Sequence, residues 1–223
     1  GNYPTLHDQE AQQVGDWLPT KLDRSQPHHR FWVCGVGNGG FAYHLLMLLM
    51  DRMGNDASEV PFRIFGTDSI AAMVTWARWS HLSAETVGRL PQSWLKTYFK
   101  LAEQGYYFDR RLRQALAFAQ HHPLEDPPYL RQDGIFCLLD PDGMPLRQWN
   151  ELQGYWYDSL KPGGLLWLQR QRRPPEAIDR SKFRPDEQIA GLYWCQPQQL
   201  GSQVVPAVSS RQTRQRPLRP ATF

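Results

Sequence analysis

The sequence predicts an α/β domain with a mostly parallel sheet, an antiparallel last strand, helices on both faces and a small inserted subdomain. Three observations support this class. A strand, a glycine turn and a helix follow one another over 31–53, a second strand and helix over 62–79, and a helix, a Pro-Gly-Gly turn and a strand over 146–168. Such alternation is typical of parallel sheets. A chain of 223 residues with 41% hydrophobic content can bury one substantial core.

The glycine turn organises the first unit. The apolar run Phe31 to Val36 breaks at Gly35-Val36-Gly37-Asn38-Gly39-Gly40 and gives way to a predicted helix from Phe41 to Met53. Glycines allow positive φ and a close approach of a ligand to the backbone, and the first turn of the helix carries a partial positive charge. We therefore expect Gly35, Gly37 and Gly39 to bind a nucleotide-like ligand. A tight strand-to-helix connection without a ligand is the alternative.

An acidic residue ends the second predicted strand, Phe62 to Asp68, which precedes a predicted helix from Ile70 to Trp79. In a doubly wound sheet, an acid at this position can accept both ribose hydroxyls. Asp68 is therefore the candidate for ribose binding. It could also serve only as the N-cap of the following helix.

The net charge indicates which binding partners to expect, and the cysteines indicate the cellular compartment. The formal charge of +3 is small, and most of the excess lies in Gln169 to Lys182 and in the arginine-containing tail. A basic tail without interleaved aromatics is more often solvated or disordered than a nucleic-acid site, so no nucleic acid is expected. Cys34, Cys137 and Cys195 each fall in a predicted strand, which suggests buried thiols and a cytoplasmic protein. No apolar run approaches the roughly 20 residues that a membrane span needs.

Residues 1–29 are predicted to form an N-terminal helix, Asp8 to Leu22, and a linker. Residues 30–196 are predicted to form the main domain, with an inserted subdomain at about 81–115, and the composition of 197–223 predicts a polar, disordered tail. The insertion contains a short helix within 90–99 and an aromatic strand, Gln104 to Asp109. The later elements are predicted as strands Leu116 to His122, Gly134 to Asp140, Leu165 to Leu168 and Ile189 to Cys195, and a helix Leu146 to Leu160.

Other chemistries have weaker support. His121, His122 and Cys137 lack the spacing of metal ligands, so no metal site is expected. Four aromatic residues are better interpreted as core or subdomain residues than as a ligand cage: Tyr43, Trp76, Trp94 and Trp156.

Five blocks in the same order resemble the CheR-type chemotaxis-receptor methyltransferases, which use S-adenosylmethionine to esterify glutamate side chains. Val33 to Leu45 is similar to the family's Ser-Ala-Gly-Cys-Ser-Thr-Gly-Glu-Glu-Pro-Tyr-Ser-Leu, and Phe65 to Asp68 to its Ala-Thr-Asp block. Leu90 to Phe99 resembles its Leu-Pro and Tyr-Phe element. Asp133 to Cys137 resembles its Phe-Asp-Leu-Ile-Phe-Cys strand, and Leu160 to Gly164 its Leu-Lys-Pro-Gly-Gly turn. The resemblance implies a Rossmann-like methyltransferase sheet with S-adenosylmethionine as cofactor.

The resemblance also shows where this chain departs from the family. Gly40 and Phe41 replace paired glutamates, one of which contacts the methionine end of the cofactor. His122 stands where the family has the asparagine of Asn-Leu-Leu, and Leu138 stands where Cys-Arg-Asn carries the arginine assigned to catalysis. By resemblance we expect His122 and Leu138 to line the cofactor site, and no catalytic residue is assigned. His7 falls where the family has an arginine, and the family's preceding helical domain is not represented in this sequence.

These substitutions leave two hypotheses. A carboxylate nucleophile is already ionised near neutral pH, so methyl transfer needs proximity and desolvation more than a base. Leu138 and Leu139 cannot orient the acceptor carboxylate as an arginine does. Asp140 and Asp142 could substitute as polar groups or could simply form a turn. The chain is therefore either a divergent CheR-like enzyme or an inactive module that binds partners or senses the cofactor.

The expected partner is a signalling protein or the cytoplasmic region of a receptor. By resemblance, the inserted subdomain docks receptor tails, and the basic cluster Arg110, Arg111 and Arg113 would attract acidic receptor helices. A solvated basic surface is the alternative.

Overall fold

The computed structural model describes residues 9–23, 26, 28–53, 60–79, 81–82, 90–103, 105–140, 144–169 and 178–197. The helices of this part are α1 (Gln9–Trp17), a 3-10 turn (Leu18–Thr20), α2 (Gly40–Met53), α3 (Ala71–Trp79), α4 (Gln92–Tyr98), α5 (Arg110–Arg113) and α6 (Leu146–Ser159). The strands are β1 (His29–Cys34), β2 (Phe62–Asp68), β3 (His81–Leu82), β4 (Phe99–Ala102), β5 (Gly105–Phe108), β6 (Leu116–Gln120), β7 (Gln132–Cys137), β8 (Leu160–Leu168), β9 (Phe183–Pro185) and β10 (Leu192–Cys195).

Seven of these strands form one sheet in the order β6-β2-β1-β7-β8-β10-β9. The pairs β1 with β2, β1 with β7, β2 with β6 and β7 with β8 are parallel, whereas β10 is antiparallel to both of its neighbours. The chain order reverses at β1, where β2 leads to one side and β7 to the other. The expected class, a mostly parallel sheet with an antiparallel last strand, is confirmed, and the reversal point is where such sheets bind ligands.

Two apolar cores lie on opposite faces of the sheet. Alternate residues of β1 divide between them, because successive side chains of a strand point to opposite faces. Phe31 and Val33 join a core built with α1 and α2, and Trp32 and Cys34 join a core built with α6. The helices therefore cover both faces, as predicted.

Helix α2 is the central helix of the first core. Its residues from Phe41 to Met50 are all buried, which is expected for a helix that is apolar on every side. α1 crosses it closely at Gly15, where a Cβ would overlap the Leu48 side chain. Arg52 near the end of α2 donates to Asp16 of α1, with an Nη2 to Oδ1 distance of 2.7 Å. These contacts position the helix that follows the glycine turn.

A second, three-stranded antiparallel sheet, in the order β3-β5-β4, lies within the region for which the inserted subdomain was predicted. Phe108 of β5 contacts Phe99 of β4 and packs edge-on against Tyr43 of α2 at 4.9 Å between ring centroids. The backbone N–H of Asp109 donates to the Tyr98 carbonyl and closes the β4–β5 hairpin. The exact division of the chain into 1–29, 30–196 and 197–223 stays a prediction.

Several boundaries differ from the sequence-based ones. β1 begins at His29 and ends at Cys34, because Gly35 and Val36 already turn away and donate to the Thr67 carbonyl. β7 ends at Cys137, so Leu138 to Asp140 lie beyond the strand. The predicted helix Asp8 to Leu22 is shorter and ends in a 3-10 turn at Pro19, as a proline inside a helix favours. The short strand β9 was missed, and the tail 198–223 lies outside the described residues.

The three cysteines are buried and free, as predicted. Burial raises the pKa of Cys137 to about 12 and that of Cys195 to about 11, and it raises the pKa of Cys34 well above the usual value. These thiols therefore behave as small apolar core groups. Within the described ranges, no helix has both the length and the apolar character to cross a membrane.

The tight contact between β2 and the turn can be tested at Gly66. A Cβ at this position would lie 2.6 Å from the Phe118 ring and 2.8 Å from Val36 Cγ2. We expect Gly66→Ala to lower the free energy of unfolding by about 1–3 kcal/mol, because the neighbours must shift. Urea denaturation measures the free energy of unfolding of the variant and of the parent protein.

Gly154 in α6 is the matched control, since a Cβ there would meet nothing within 4 Å. Gly154→Ala should raise the free energy of unfolding by about 0.5–1 kcal/mol through the better helix propensity of alanine. Equal stabilities of the Gly66→Ala protein and the parent would show that the packing at β2 is looser than described.

Candidate functional site

Four predicted site segments meet at the carboxyl edge of the sheet. Backbone hydrogen bonds continue past the strand ends there: Gly35 N–H to the Thr67 carbonyl at 2.8 Å, Leu138 N–H to the Cys34 carbonyl at 2.9 Å, and His121 N–H to the Asp68 carbonyl at 3.0 Å. The glycine turn, the end of β2, the residues after β6 and the residues after β7 are therefore neighbours. The structure brings the predicted site positions to one edge: Gly35, Gly37, Gly39, Asp68, His122 and Leu138.

The glycine turn needs glycine at three positions. Gly35, Gly37 and Gly39 have φ values of +74°, +55° and +87°, which only glycine adopts without strain. Space is also limiting at two of them. A Cβ on Gly35 would lie 2.8 Å from Leu139 Cδ2, and one on Gly39 would lie 3.0 Å from the Ala77 Cβ. The turn is therefore held tightly between the end of β7 and α3.

The protein itself uses most of the backbone donors of this turn. Gly35 and Val36 donate to the Thr67 carbonyl, Gly39 donates to the Val36 carbonyl, and Gly37 donates to Asp68. The Gly40 N–H donates to the Asn38 side-chain oxygen at 3.0 Å. An anion would therefore find few free N–H groups here, unlike in a phosphate-binding loop.

Asp68 ties the turn to β2. Its side chain is 8% exposed, its Oδ2 accepts the Gly37 N–H at 2.9 Å, and its Oδ1 accepts the Ile70 N–H at 2.9 Å. Asp68 is not itself the N-cap that was the alternative to ribose binding, because Ile70 stands directly before α3 and its carbonyl accepts the N–H groups of Met73 and Val74. The contact with Ile70 is a turn contact just ahead of the helix. Each carboxylate oxygen can accept more than one hydrogen bond, so this contact and a ribose contact are compatible.

The two histidines after β6 have different environments. His121 is 4% exposed, and its Nε2 lies 3.1 Å from the Pro127 carbonyl and 3.0 Å from the Tyr155 hydroxyl. Its ring packs edge-on against Trp32. His122 is half-buried, and its backbone N–H donates to Asp126. His121 is thus a structural residue, and His122 remains the candidate at the rim.

Leucines form the surface beyond β7. Leu138 is half-buried and packs against the core on the α2 side, whereas Leu139 packs against the opposite core and covers Gly35. Asp140 is exposed, and Asp142 lies outside the described residues. The role of Leu139 was missed, because the sequence placed it inside the strand.

The two residues that stand where the family has glutamates, Gly40 and Phe41, lie in different environments. Phe41 is 5% exposed and stacks on Trp167 at 5.5 Å and 11°, so its ring belongs to the core and does not occlude the turn. A Cβ on Gly40 would contact only Asn38 Oδ1, at 3.2 Å. There is therefore room for a side chain at position 40.

The expectation that four aromatics are core or subdomain residues holds for Tyr43 and Trp156, which are buried, and for Trp94, which is partly buried. It is wrong for Trp76, which is 54% exposed, as is the nearby Trp79 at 64%. Trp76 lies on the outer side of α3, while Val74 and Ala77 face the sheet. Helical spacing in the sequence did not show which side of α3 packs against the sheet and which side is exposed.

The basic cluster forms the short helix α5. Asp109 caps it by accepting from the Arg111 N–H, and the hydrogen-bonded Arg111 guanidinium lowers the pKa of this carboxylate. Lys100 of β4 lies 3.7 Å from the same carboxylate. Arg110 and Arg113 are exposed. No group of three or more potential metal-ligating side chains occurs among the residues that are described.

The sheet order, the glycine turn after β1 and the buried carboxylate at the end of β2 define a Rossmann-like domain of the methyltransferase type, and the carboxyl edge of the sheet is its candidate site. The family model of the SAM-binding domain of CheR methyltransferases matches residues 8–138. The chain belongs to this family, and S-adenosylmethionine is its cofactor.

Two curated proteins are similar to this chain in sequence. The chain is 28% identical to chemotaxis protein methyltransferase 2 of Vibrio cholerae over 146 residues, which is 62% of this chain and 49% of that protein. It is 30% identical over 108 residues to an uncharacterized 104.1 kDa protein of Rhodobacter capsulatus, which is 48% of this chain and 11% of that protein. The chain thus spans half or less of these relatives.

Solved structures of methyltransferases are similar at low sequence identity. An amino pentose methyltransferase from Micromonospora echinaspora, solved with bound SAM, has a TM-score of 0.43 and 17% identity, covering 82% of this chain and 58% of that one. The CMeT domain of the citrinin polyketide synthase has a TM-score of 0.46 and 18% identity, covering 73% and 35%.

The two roles of Asp68 can be separated by substitution. Asp68→Asn keeps one oxygen as an acceptor but loses the charge, whereas Asp68→Ala removes both acceptors of the Gly37 and Ile70 N–H groups. We expect Asp68→Ala to lower the free energy of unfolding by about 1–3 kcal/mol, and Asp68→Asn to lower it less. Thermal denaturation measures stability, and calorimetry with S-adenosylmethionine measures binding.

Both variants should bind the ligand at least tenfold more weakly if the carboxylate contacts the ribose, since a charge-assisted hydrogen bond contributes on the order of 1.5–3 kcal/mol. An Asp68→Asn protein that is stable and binds with the parent's affinity would leave Asp68 only its structural role.

Proposed function

We propose that this domain transfers a methyl group from S-adenosylmethionine to glutamate side chains of a chemoreceptor or a related signalling protein. The observation that carries the proposal is the buried Asp68 carboxylate, which lies against the glycine turn at the reversal point of the sheet. Family membership and the chemotaxis methyltransferase among the relatives support the acceptor class.

The residues present fit the adenosyl part of the cofactor. Asp68 would accept the ribose hydroxyls, and Gly35, Gly37 and Gly39 would let the ligand approach the backbone. His122 and Leu138 would lie along the base, since they follow β6 and β7 at the same edge. The cofactor supplies an activated methyl group, and the chain holds it next to the acceptor.

The acceptor carboxylate needs desolvation and orientation. Leu138 and Leu139 provide an apolar surface, which would exclude water from a bound glutamate and make it more reactive toward a cationic methyl donor. Neither leucine can orient the carboxylate by a bidentate contact. Orientation would therefore depend on how the acceptor protein docks.

The docking partner would be an acidic segment of that protein. Arg110 and Arg113 are exposed on α5, and Lys100 lies beside the same helix terminus. Such a surface attracts acidic helices through long-range electrostatics. A cytoplasmic signalling protein, rather than a nucleic acid or the membrane interior, is the partner that we propose.

The side chains at the positions that differ from the family support a second function. Leu138 and Leu139 pack against the cores instead of offering polar groups, and Phe41 is in the core at a position where the family has a glutamate. A domain with these features can keep the cofactor and lose the transfer. In that case the chain would act as a partner-binding or cofactor-sensing module in signalling.

Calorimetry and a methyl-transfer assay test the proposal in sequence. We expect saturable one-to-one binding of S-adenosylmethionine and S-adenosylhomocysteine at up to millimolar ligand. We then expect radiolabelled methyl groups to enter the cytoplasmic fragment of a chemoreceptor and to be released by mild alkali, because glutamyl methyl esters hydrolyse there whereas methylamines do not.

The two assays give different answers for the two functions. Binding without base-labile incorporation would favour the cofactor-sensing module. The absence of binding by either ligand at millimolar concentration would exclude both the enzyme and the cofactor-sensing module, and would leave only a partner-binding module. The Asp68→Asn protein is the control for specific binding.

Position 40 offers a gain-of-affinity test. Gly40→Glu would place a carboxylate beside the glycine turn, where an added Cβ meets only the movable Asn38 side chain and where the carboxylate would pair with the ammonium of the methionine end. We expect tighter binding of S-adenosylmethionine by about tenfold, since a charge-assisted hydrogen bond is worth on the order of 1.5–3 kcal/mol. Isothermal calorimetry measures the change.

Gly40→Gln is the matched control, because it has nearly the same shape without the charge. It should bind S-adenosylmethionine about as tightly as the parent protein. An equal gain for both variants would mean that shape, and not the ammonium, explains the effect, while no gain for Gly40→Glu would place the methionine end away from the turn.

A further inference from the structure

Two arginines lie side by side at the amino edge of the sheet, where the parallel strands begin. Arg30 of β1 and Arg63 of β2 are direct partners in the strand register. Phe62 and Ile64, on either side of Arg63, belong to the core on the α2 side, and Trp32, two residues after Arg30, belongs to the core on the α6 side. Because successive side chains alternate between the faces of a strand, both arginines lie on the α6 face. Like charges at adjacent positions of this kind repel each other.

Neutral groups hold the two guanidinium groups in place. Arg30 Cζ lies 5.6 Å from the centre of the Phe65 ring, a cation–π contact that supplies no hydrogen-bond acceptor. Arg63 Nη1 donates to the Phe62 carbonyl at 3.0 Å and to the Val60 carbonyl at 3.4 Å. Arg63 is exposed. Its side chain is therefore accessible to a binding partner.

Asp133 of β7, the carboxylate beside Arg30, is paired with a lysine. Its Oδ1 accepts from Lys161 Nζ at 2.6 Å, and its Oδ2 accepts the backbone N–H of Arg30 at 2.8 Å. Arg131, two residues before Asp133, is exposed and adds a third cation where the chain enters β7. Its φ of +61° is a conformation that a residue other than glycine adopts only at a cost. Three arginines thus meet where β1, β2 and β7 begin.

We call this region the amino-edge surface and define it by three residues: Arg30, Arg63 and Arg131. Apolar side chains adjoin it, because Tyr129 stacks on Phe65 at 5.8 Å and 19°, and Leu130 is 55% exposed. The Phe65 ring already contacts both Tyr129 and Arg30, so it is a poor platform for stacking a nucleic-acid base. Cations beside an exposed aliphatic side chain favour an acidic protein segment instead.

We propose that the amino-edge surface is a docking site for a carboxylate-rich segment of a partner protein. Two guanidinium groups side by side can bind carboxylates in a bidentate way. A bound carboxylate would also remove the repulsion between Arg30 and Arg63, so that binding gains what the free sheet loses. Leu130 would contact an apolar side chain of the same segment.

This surface is distinct from the cofactor site and from the basic helix α5. Arg63 and Asp68 lie toward opposite ends of β2, about 17 Å apart for a strand rise of roughly 3.3 Å per residue. Leu112 of α5 packs in the core on the α2 side, whereas the amino-edge surface is on the α6 side. A docked segment therefore leaves the cofactor site open. The inference goes beyond the proposed methyl transfer and does not depend on it.

Fluorescence anisotropy with a labelled oligoglutamate peptide tests the docking site on the full chain. We expect saturable binding that weakens as salt is added, because salt screens exposed charges. Arg63→Gln should weaken binding about fivefold, which corresponds to the loss of one partly exposed ion pair, and Arg63→Glu should weaken it further. The Tm of the Arg63→Gln protein should equal or exceed that of the parent, since the repulsion from Arg30 is removed. A loss of peptide binding then reports a lost contact and not unfolding.

Arg147→Gln is the matched control, because it removes the same charge from an exposed position of α6, where Arg147 pairs with Glu151. It should change the affinity for the peptide by less than about twofold. Equal losses for Arg63→Gln and Arg147→Gln would overturn the inference, since net charge alone would then explain binding. The inference would also be wrong if the parent protein did not bind the peptide, because the arginine pair would then be neutralised within the chain.

Two further measurements separate this inference from the alternatives. A single-stranded RNA oligonucleotide that binds through Arg63 more tightly than the peptide would overturn the choice of partner. Calorimetry should give the same affinity for S-adenosylmethionine in the Arg63→Gln protein and in the parent, and a weaker affinity would contradict the separation of the two sites. If the peptide binds through Arg63 and S-adenosylmethionine does not bind, the proposed function is wrong and the docking site stands. The reverse result overturns only the docking site.

Discussion

The hydrogen bond from the Gly37 N–H to the Asp68 carboxylate is the interaction on which the site depends. It joins the turn after β1 to the end of β2, and the same carboxylate holds the Ile70 N–H just before α3. Because Asp68 is only 8% exposed, removing its carboxylate would leave the buried Gly37 N–H and the partly buried Ile70 N–H without their acceptor. One residue thus fixes both the backbone of the glycine turn and the start of the next helix.

Packing around the glycine turn also holds the turn in place. Tyr43 of α2 donates its hydroxyl to the Ala77 carbonyl of α3, and Gly39 fits directly against Ala77. The two helices that follow the first two strands are therefore locked together beside the site. A rigid turn favours binding of a ligand that matches its shape, because little ordering is required on binding.

Most of the fold could be predicted from local pattern. The glycine turn, the acid at the end of β2 and the Pro-Gly-Gly segment in the first half of β8 are local signals, and their order along the chain predicts the sheet. What the sequence could not give is the direction of individual side chains. Phe41 and Gly40 are adjacent, yet the Phe41 ring packs into the core, whereas a Cβ on Gly40 would meet only the Asn38 side chain. Likewise, Trp76 was expected inside and lies outside, since α3 buries only one narrow side against the sheet.

In the function that we propose, cofactor binding and methyl transfer depend on different strands of this sheet, so one can persist while the other is altered. The adenosyl contacts that we propose come from the turn after β1 and from Asp68 of β2, where glycine conformation and a buried carboxylate leave few alternatives. The acceptor side that we propose lies beyond β7, where Leu138 and Leu139 pack against opposite cores. Apolar side chains at that position add to stability, because they bury surface that an arginine would have to keep solvated or paired. The fold therefore does not depend on a polar group beyond β7, whereas loss of Asp68 would remove the hydrogen bonds that hold the glycine turn and the residue before α3.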